Sequence, residues 1–205
     1  MIGALILRDV RRGLTGAAWL PVAFFLLVAA LVPFAVGPDA RLLARIGSGA
    51  LWIAALTAAL LPIERLIEPD RADGILDQLA LHSVTEEAMA AAKIASHWLA
   101  FGPLLLIATV PASALLAMDG AALARIELAL AVGTLGLAAL AVAVAAVTSG
   151  LPRAGSLAGL LLLPLAVPLL IFGAANAFPL EAAVSLLLIA GAPFVTAVAI
   201  RASRT

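Results

Sequence analysis

The stretch LALAVGTLGLAALAVAVAAVTSGLP, residues 128–152, contains no charged side chain. A helix needs about 20 consecutive apolar residues to cross the hydrocarbon core of a bilayer, so this stretch is long enough to cross. Comparable uncharged runs recur along the chain, at 13–38, 46–63, 94–118, 154–180 and 182–200. The sequence therefore predicts an all-α polytopic membrane protein with six transmembrane helices.

The overall composition agrees with this class. The 205 residues are 65% hydrophobic and 12% charged, whereas soluble domains average about 45–50% apolar and about 25% charged residues. The chain contains no cysteine, which excludes disulfides, zinc–thiolate sites, iron–sulfur clusters and thiol nucleophiles. The net charge is zero and no long basic run occurs, which argues against nucleic acid as a partner.

The distribution of positive charge predicts the topology of a single permease domain, residues 1–205. We place the spans at about 18–36, 46–63, 94–117, 128–149, 155–175 and 182–200, after an amphipathic lead-in at about 1–16. With both termini on one side, that side carries nine of the twelve Lys and Arg residues: Arg8, Arg11, Arg12, Arg65, Arg71, Lys93, Arg153, Arg201 and Arg204. The other side carries Arg41, Arg45 and Arg125. Because positive residues resist translocation, both termini are predicted to be cytoplasmic. Arg8, Arg11 and Arg12 are interpreted as an anchor on the cytoplasmic surface.

The cytoplasmic connection between the second and third spans, about 64–92, holds the densest group of charges in the chain. Its apolar residues recur at helical spacing from about 72 to 81, after Pro69, which predicts a short amphipathic helix. Ser83 or Thr85 is the expected cap of the helix that follows. No G-x-x-x-x-G-K-[ST] motif occurs, so ATP is expected to bind a separate subunit if transport is powered.

Two interpretations of this short helix remain open. The first is a coupling helix seated in a groove of an ATPase subunit, with polar contacts from Arg71, Asp73 and Asp77 and apolar anchors at Ile75, Leu76 and Leu79. Gly74 and Gln78 complete the predicted coupling segment. The second is a helix lying on the membrane surface, but such helices favour Lys and Arg on their polar faces, and this one is rich in acidic residues.

The predicted spans carry few groups that do chemistry. They hold no charged residue near their centres, which argues against ion-coupled transport. His97, near the cytoplasmic end of the third span, is the one titratable residue placed inside a span. It is either an axial ligand or proton carrier, or a hydrogen-bond partner of a neighbouring helix. No nucleophile with its base, metal-ligand cluster or carboxylate pair is apparent, so the chain is not expected to be an enzyme.

Two further features concern helix packing. Gly155-x-x-x-Gly159 is a pair of small residues suited to close helix approach, although the match has low specificity in a chain this rich in Ala and Gly. Trp19, Trp52 and Trp98 lie near helix ends or upper turns, where indole rings prefer the membrane interface. Trp52 fits that interpretation least, because it lies about one-third of the way into its span.

Several short segments, in this order and spacing, resemble the CcmB family of ABC-type permeases, the heme exporter B subunits of cytochrome c maturation. The most specific is Asp73-Gly74-Ile75-Leu76-Asp77-Gln78-Leu79 in the cytoplasmic connection. The others are Gly37-Pro38, Leu42-Leu43-Ala44-Arg45-Ile46, Leu51-Trp52-Ile53-Ala54-Ala55-Leu56, Glu64-Arg65-Leu66, Ala92-Lys93, His97-Trp98, Leu163-Pro164-Leu165 and Pro168-Leu169-Leu170-Ile171-Phe172. Together they cover nearly the whole chain.

The resemblance implies a multi-pass subunit of the bacterial inner membrane that works with a separate ATPase, CcmA, in two copies of each. It also implies association with CcmC and CcmD, and indirect action on the heme chaperone CcmE. Heme is then a candidate for the transported species. The sequence has no tryptophan-rich outer-face motif and no pair of histidines placed as outer-face axial ligands, so no stably bound heme is expected in this chain. The alternative is a non-transporting scaffold that transmits ATP-driven conformational change to release of the heme chaperone.

Overall fold

The computed structural model describes residues 2–15 and 19–203, and six of its helices are long and apolar enough to cross a membrane. The helices are α1 Ile2–Thr15, α2 Trp19–Val36, α3 Ala40–Leu60, α4 Glu68–Ala72, α5 Ile75–Leu81, α6 Glu86–Leu115, α7 Gly120–Thr148, α8 Ala154–Ala174 and α9 Phe178–Ala202. No strand occurs in these ranges, so the predicted all-α fold is confirmed. Parts of three predictions lie outside the described residues: both ends of the lead-in at 1 and 16, position 18 of the first span, and Arg204.

Three spanning helices begin about two turns earlier than predicted, because polar caps outside the apolar runs start them. Asp39 accepts the backbone N–H of Arg41 at 2.8 Å, and α3 therefore begins at 40 instead of 46. Asp119 accepts the N–H of Ala122 at 2.7 Å at the start of α7. Thr85 caps α6, as predicted for one of its two candidate residues. These side chains satisfy donors that the first helical turn leaves without partners.

Helix α7 forms the centre of the bundle. Every residue from 136 to 146 is buried, and α7 packs against α3, α6, α8 and α9. Seven of these eleven residues are Ala or Gly, whose small volume allows helices to approach closely in lipid. The indole Nε1 of Trp98 donates to Thr134 Oγ1 at 3.0 Å and joins α6 to α7. Most of the large exposed hydrophobic side chains, such as Leu160 and Leu187, lie on the helices around α7.

The two ends of the described chain lie at the same end of the bundle as the 64–92 connection. Helix α1 forms ion pairs with Asp70 of that connection. At the other terminus, Arg201 in the last turn of α9 pairs with Glu86 and Glu87 at the start of α6. This arrangement requires an even number of crossings, as the charge count does. That this end faces the cytoplasm stays a prediction from the positive-inside rule.

Candidate functional site

The predicted coupling segment folds as two short helices instead of one. Helix α4 begins at Glu68, carries Pro69 in its first turn and ends at Ala72, and α5 begins at Ile75. Gly74 lies between them with a φ of 69°, a left-handed conformation that ends helices and favours glycine. The prediction of a continuous helix over 72–81 is therefore wrong, because the glycine breaks it. We call residues 68–81 the elbow.

One side of the elbow packs against its own chain. Leu76 is 3% exposed and belongs to the hydrophobic core, and Leu79 packs against that core. Ile75 is half-buried. The prediction that Leu76 anchors a partner is therefore wrong, because this side chain is already buried within the chain. Its burial fixes the position of α5 instead.

The other side of the elbow is exposed and carries acidic residues. Asp73, Asp77 and Gln78 are exposed, as is Leu81, at 83%. Leu81 lies five residues beyond Leu76, and at about 100° per residue in an α-helix this separation places it on a different face of α5. Because the sequence pattern groups all the leucines together, it does not distinguish the buried Leu76 from the exposed Leu81. The structure thus leaves an exposed apolar side chain on the elbow, Leu81 in place of Leu76.

Glu68 attaches the elbow to the connection between α7 and α8. Its carboxylate accepts the Arg71 guanidinium, with Nη2 at 2.6 Å from Oε1, and the backbone N–H of Gly150 at 2.9 Å. Gly150 itself has a left-handed backbone, with a φ of 78°. Arg71 was predicted to contact a partner, but its guanidinium is held by Glu68 within the chain. The burial of Leu76 and the hydrogen bonds of Glu68 therefore fix the part of the chain that carries the exposed acidic residues.

The elbow depends on the left-handed backbone of Gly74. Replacing Gly74 with Ala is expected to cost about 1–2 kcal/mol of local stability, because a Cβ disfavours this backbone conformation. No neighbouring atom would lie within 4 Å of that Cβ, so the cost comes from the backbone alone. Amide hydrogen exchange of α5 should accelerate in Gly74→Ala. Gly74→Asn is the control, because Asn tolerates this conformation, and equal exchange in both variants would contradict the argument.

Beside the elbow, a buried ion network connects α1, α4 and α6. Lys93 Nζ lies 2.5 Å from Asp70 Oδ2 and 2.9 Å from Asp9 Oδ2. Arg8 also bonds Asp70, and Arg12 Nη1 lies 3.1 Å from Asp70 Oδ1. Asp70 is only 2% exposed. One prediction needs correction: Arg8 and Arg12 bind the Asp70 carboxylate instead of serving solely as an anchor on the cytoplasmic surface.

A cavity of about 390 Å³ borders this network and is lined by residues of α1, α2, α6 and the chain from 61 to 73, which includes α4. His97 is one of its lining residues and is 6% exposed. The His97 ring centroid lies 4.8 Å from that of Phe101. Its Nε2 atom has no hydrogen-bond partner within the described chain. The structure therefore gives no support, at Nε2, to the interpretation that His97 forms a hydrogen bond with a neighbouring helix.

Two further titratable residues are buried inside spanning helices, which corrects the prediction that His97 is the one such group. Lys93 lies within α6 and Glu181 within the first turn of α9, because both helices begin earlier than predicted. Glu181 is fully buried, and neither carboxylate oxygen has a hydrogen-bond partner among the described residues. A Cβ added to Gly133 would lie 2.6 Å from Glu181 Oε1, so the carboxyl group packs directly on α7.

The comparisons with known proteins all indicate the same protein family. The model of the family described as "CcmB protein" matches residues 1–203. "Heme exporter protein B" of Bradyrhizobium diazoefficiens is 44% identical over 176 residues, which cover 85% of this chain and 79% of the relative. The protein of the same name from Rhodobacter capsulatus is 42% identical over 97% of both chains. That of Escherichia coli K12 is 40% identical over 89% of both chains.

Proposed function

The chain belongs to the CcmB protein family, and we propose that it is the membrane-spanning subunit of an ABC-type complex for heme export in c-type cytochrome biogenesis. It is a transport subunit of the bacterial inner membrane. ATP hydrolysis takes place on a separate subunit, CcmA, and CcmC and CcmD complete the membrane complex. The relatives named heme exporter protein B and the six spanning helices support this proposal.

The observation that carries the coupling to CcmA is the exposed side of the elbow. Asp73, Asp77, Gln78 and Leu81 project from a short helix pair whose opposite side is fixed to the bundle. A short helix with an apolar contact and flanking charges is a common ligand for a groove on a partner. The charges determine orientation and partner choice. Movement of CcmA would be transmitted through Leu76 and Glu68 into the helices.

Reversing the charge of the elbow should prevent binding of CcmA. In Asp73→Lys/Asp77→Lys, like charges would face the basic groups expected on the groove, and like-charge contacts cost several kcal/mol. We expect recovery of CcmA with the tagged membrane subunit to fall about tenfold or more, measured by co-purification in mild detergent. The buried side of the elbow is unchanged, so membrane insertion should be normal.

The matched control reverses the same amount of charge at the other end of the bundle. Arg41 and Arg45 are exposed near the start of α3, and Arg41→Glu/Arg45→Glu should leave recovery of CcmA unchanged. Normal recovery of CcmA with the elbow variant would disprove the coupling role. An equal loss in both variants would have the same meaning, because it would reflect a general effect of charge.

The central position of α7 favours a second candidate function. Because α7 is buried along 136–146, its side chains fill the middle of the bundle, where a path for heme through a single chain would run. In this candidate, the subunit moves no heme and transmits the ATP-driven conformational change to release of the chaperone CcmE. Vesicles containing the complete complex separate the two functions. Accumulation of heme on addition of ATP supports export, and release of CcmE without accumulation supports the second candidate.

A further inference from the structure

A buried carboxyl group, that of Glu181, lies at the end of the bundle opposite the elbow. Glu181 is in the first turn of α9, whereas Arg201 in the last turn of α9 pairs with Glu86 and Glu87 near the elbow. Glu181 is 0% exposed, and each of its carboxyl oxygens has less than 1 Å² of accessible surface. Neither oxygen has a hydrogen-bond partner among the described residues. The packed bundle therefore leaves no surface through which water could solvate this group.

The carboxyl group of Glu181 contacts a glycine and an aromatic ring. Glu181 Oε1 lies 2.6 Å, and Trp52 Cη2 lies 2.1 Å, from the position that a Cβ of Gly133 would occupy. The acid and the edge of the indole therefore meet at the surface of α7. One turn further along α9, Ser185 Oγ lies 2.8 Å from the corresponding position at Gly136, and it is also buried without a hydrogen-bond partner. This face of α9 thus packs its polar groups on glycines, which have no side chain to bond them.

Two ordinary roles of a glutamate at the start of a helix do not explain Glu181. A carboxylate in the first turn is stabilised by the helix dipole and by the free N–H groups of that turn, but neither oxygen of Glu181 accepts such a bond. A buried charge is otherwise paired with an opposite charge, and Glu181 forms no ion pair with the described residues. An ionisable residue inside a spanning segment often marks a functional position.

The charged residues of the neighbouring helices do not compensate this carboxyl group. At its end of the bundle they are the caps Asp39 and Asp119, together with Arg41, Arg45, Arg125 and Glu127. Glu127 is half-buried and the others are exposed. Helix α8 carries no charged residue, and α6 and α9 carry their other charged residues near the elbow.

We propose that Glu181 is a proton-binding site, neutral while α9 packs on α7 and ionised when the two helices separate. An unpaired carboxylate in apolar surroundings is so costly that the group takes up a proton instead. Packing of α9 on α7 therefore consumes one proton from water, as COO⁻ and H⁺ give COOH, and separation returns it. Acidity at this end of the bundle favours the packed state. With the elbow in the cytoplasm, as the charge distribution predicts, this is acidity outside the inner membrane.

Infrared spectroscopy tests the neutral state directly. The purified full-length chain, in a detergent without carbonyl groups at about pH 7, should show the C=O stretching band of a protonated carboxyl group, because exposed carboxyl groups are ionised at this pH. Glu181→Gln should lose this band, since an amide resembles the neutral acid in shape but has no carboxyl group. Glu127→Gln is the matched control at the same end of the bundle and should retain it. Absence of the band from the parent chain, or its retention in Glu181→Gln, would overturn the proposal.

The coupling of the proton to packing is tested by unfolding at several pH values. In the unfolded chain Glu181 ionises above about pH 4.3, whereas the packed bundle retains the proton. The unfolded state then binds fewer protons, so stability falls as the pH rises. Relative to Glu181→Gln, the unfolding equilibrium constant of the parent chain should increase by up to about tenfold per pH unit between about pH 5 and pH 7. Glu127→Gln should follow the parent chain, and parallel profiles of the parent and Glu181→Gln would contradict the coupling.

The parent chain alone decides the matter if Glu181→Gln does not fold. Its carboxyl band should disappear when a denaturing detergent unfolds the chain at about pH 7, because the freed group then ionises in water. Return of the band on refolding would support the proposal. A band that survives unfolding would belong to another group and would overturn it. Each of these results is independent of the substance that the complex transports.

Discussion

Replacing Asp70 with Asn is expected to lower the free energy of unfolding by about 3–5 kcal/mol, because the buried charges around it lose their common partner. Asp70 accepts bonds from Lys93, Arg8 and Arg12 while only 2% exposed. The side chain of Lys93 is itself 9% exposed, so its ammonium group would remain buried with Asp9 alone. The partly exposed Arg8 and Arg12 contribute less. The loss should also detach α1, which this network joins to the bundle.

Both effects can be measured, since the chain has no cysteine of its own. A single cysteine introduced at Leu5, which is 6% exposed in α1, should react with a maleimide faster in Asp70→Asn. The thermal midpoint in detergent should fall in the same variant. The matched control is Asp73→Asn, a nearby exposed aspartate that should change neither quantity. Equal midpoints and equal labelling in the two variants would contradict the importance of the network.

A double variant separates the cost of leaving a buried charge without a partner from the cost of losing the ion pair itself. Replacing a buried pair with apolar residues of similar volume is often neutral, whereas removing one member leaves a charge without compensation. Asp70→Leu/Lys93→Met should therefore recover part of the stability that Asp70→Asn loses. If no stability is recovered, the pairing of Arg8 and Arg12 with Asp70 contributes more to the free energy of unfolding than the exposure of these two arginines suggests.

The fold is predictable from sequence because the cost of placing charge in lipid determines where the chain can cross. Six uncharged runs therefore give six spans, and the structure contains them. Their exact ends are less predictable from hydropathy, because the residues that start α3 and α7 are polar. Asp39 and Asp119 lie outside the apolar runs, yet their side chains bond the first helical N–H groups. Because α6 and α9 begin early, Lys93 and Glu181 lie inside these helices. Hydropathy alone places both residues in the segments that flank the spans.

The position of the candidate site along the chain is predictable from the sequence, but the contacts of its side chains are not. The acidic segment was located from its composition, and Asp73 and Asp77 are exposed as coupling requires. The partners of Asp70 come from α1 and α6, distant in sequence, and the local charge pattern contains no signal for such pairs. Similarly, helical spacing identifies an apolar face on α5 but not that Leu76 packs inward while Leu81 remains exposed. These choices depend on how the bundle packs.

Close approach occurs at one of the two glycines of the predicted motif and at glycines outside it. A Cβ added to Gly155 would clash with the side chain of Glu64, whereas Gly159 has no neighbouring atom within 4 Å of an added Cβ. Gly133 of α7 and Gly173 of α8 instead face the ring of Trp52. The motif records only spacing on one helix, whereas close approach depends on a large side chain of a neighbouring helix. The interface prediction for Trp52 is wrong for the same reason: its indole is fully buried.

Replacing Trp52 with Ala should destabilise the bundle by about 3–5 kcal/mol, the range for removal of a large aromatic side chain from a core. Trp52 is 0% exposed and joins α3 to α7 and α8, where only glycine leaves room for its ring. Its Nε1 has no hydrogen-bond partner in the described chain, so the expected loss comes from packing. Trp52→Phe should therefore retain much of the stability. Trp19→Ala is the matched control, because Trp19 is 67% exposed and exposed substitutions usually change stability by less than about 0.5 kcal/mol.

The measurement is unfolding of the purified chain in mixed detergent micelles, followed by helical circular dichroism. Trp52→Ala should unfold at a much lower fraction of denaturing detergent than Trp19→Ala. Because α3 leads through the Ile63–Arg65 turn to the elbow, loosening α3 should also reduce recovery of CcmA, even though Asp73 and Asp77 are unchanged. Equal unfolding of the two tryptophan variants would mean that the bundle closes over the missing ring. Normal recovery of CcmA with a destabilised Trp52→Ala would show that the elbow is held by Glu68 and Leu76 independently of α3.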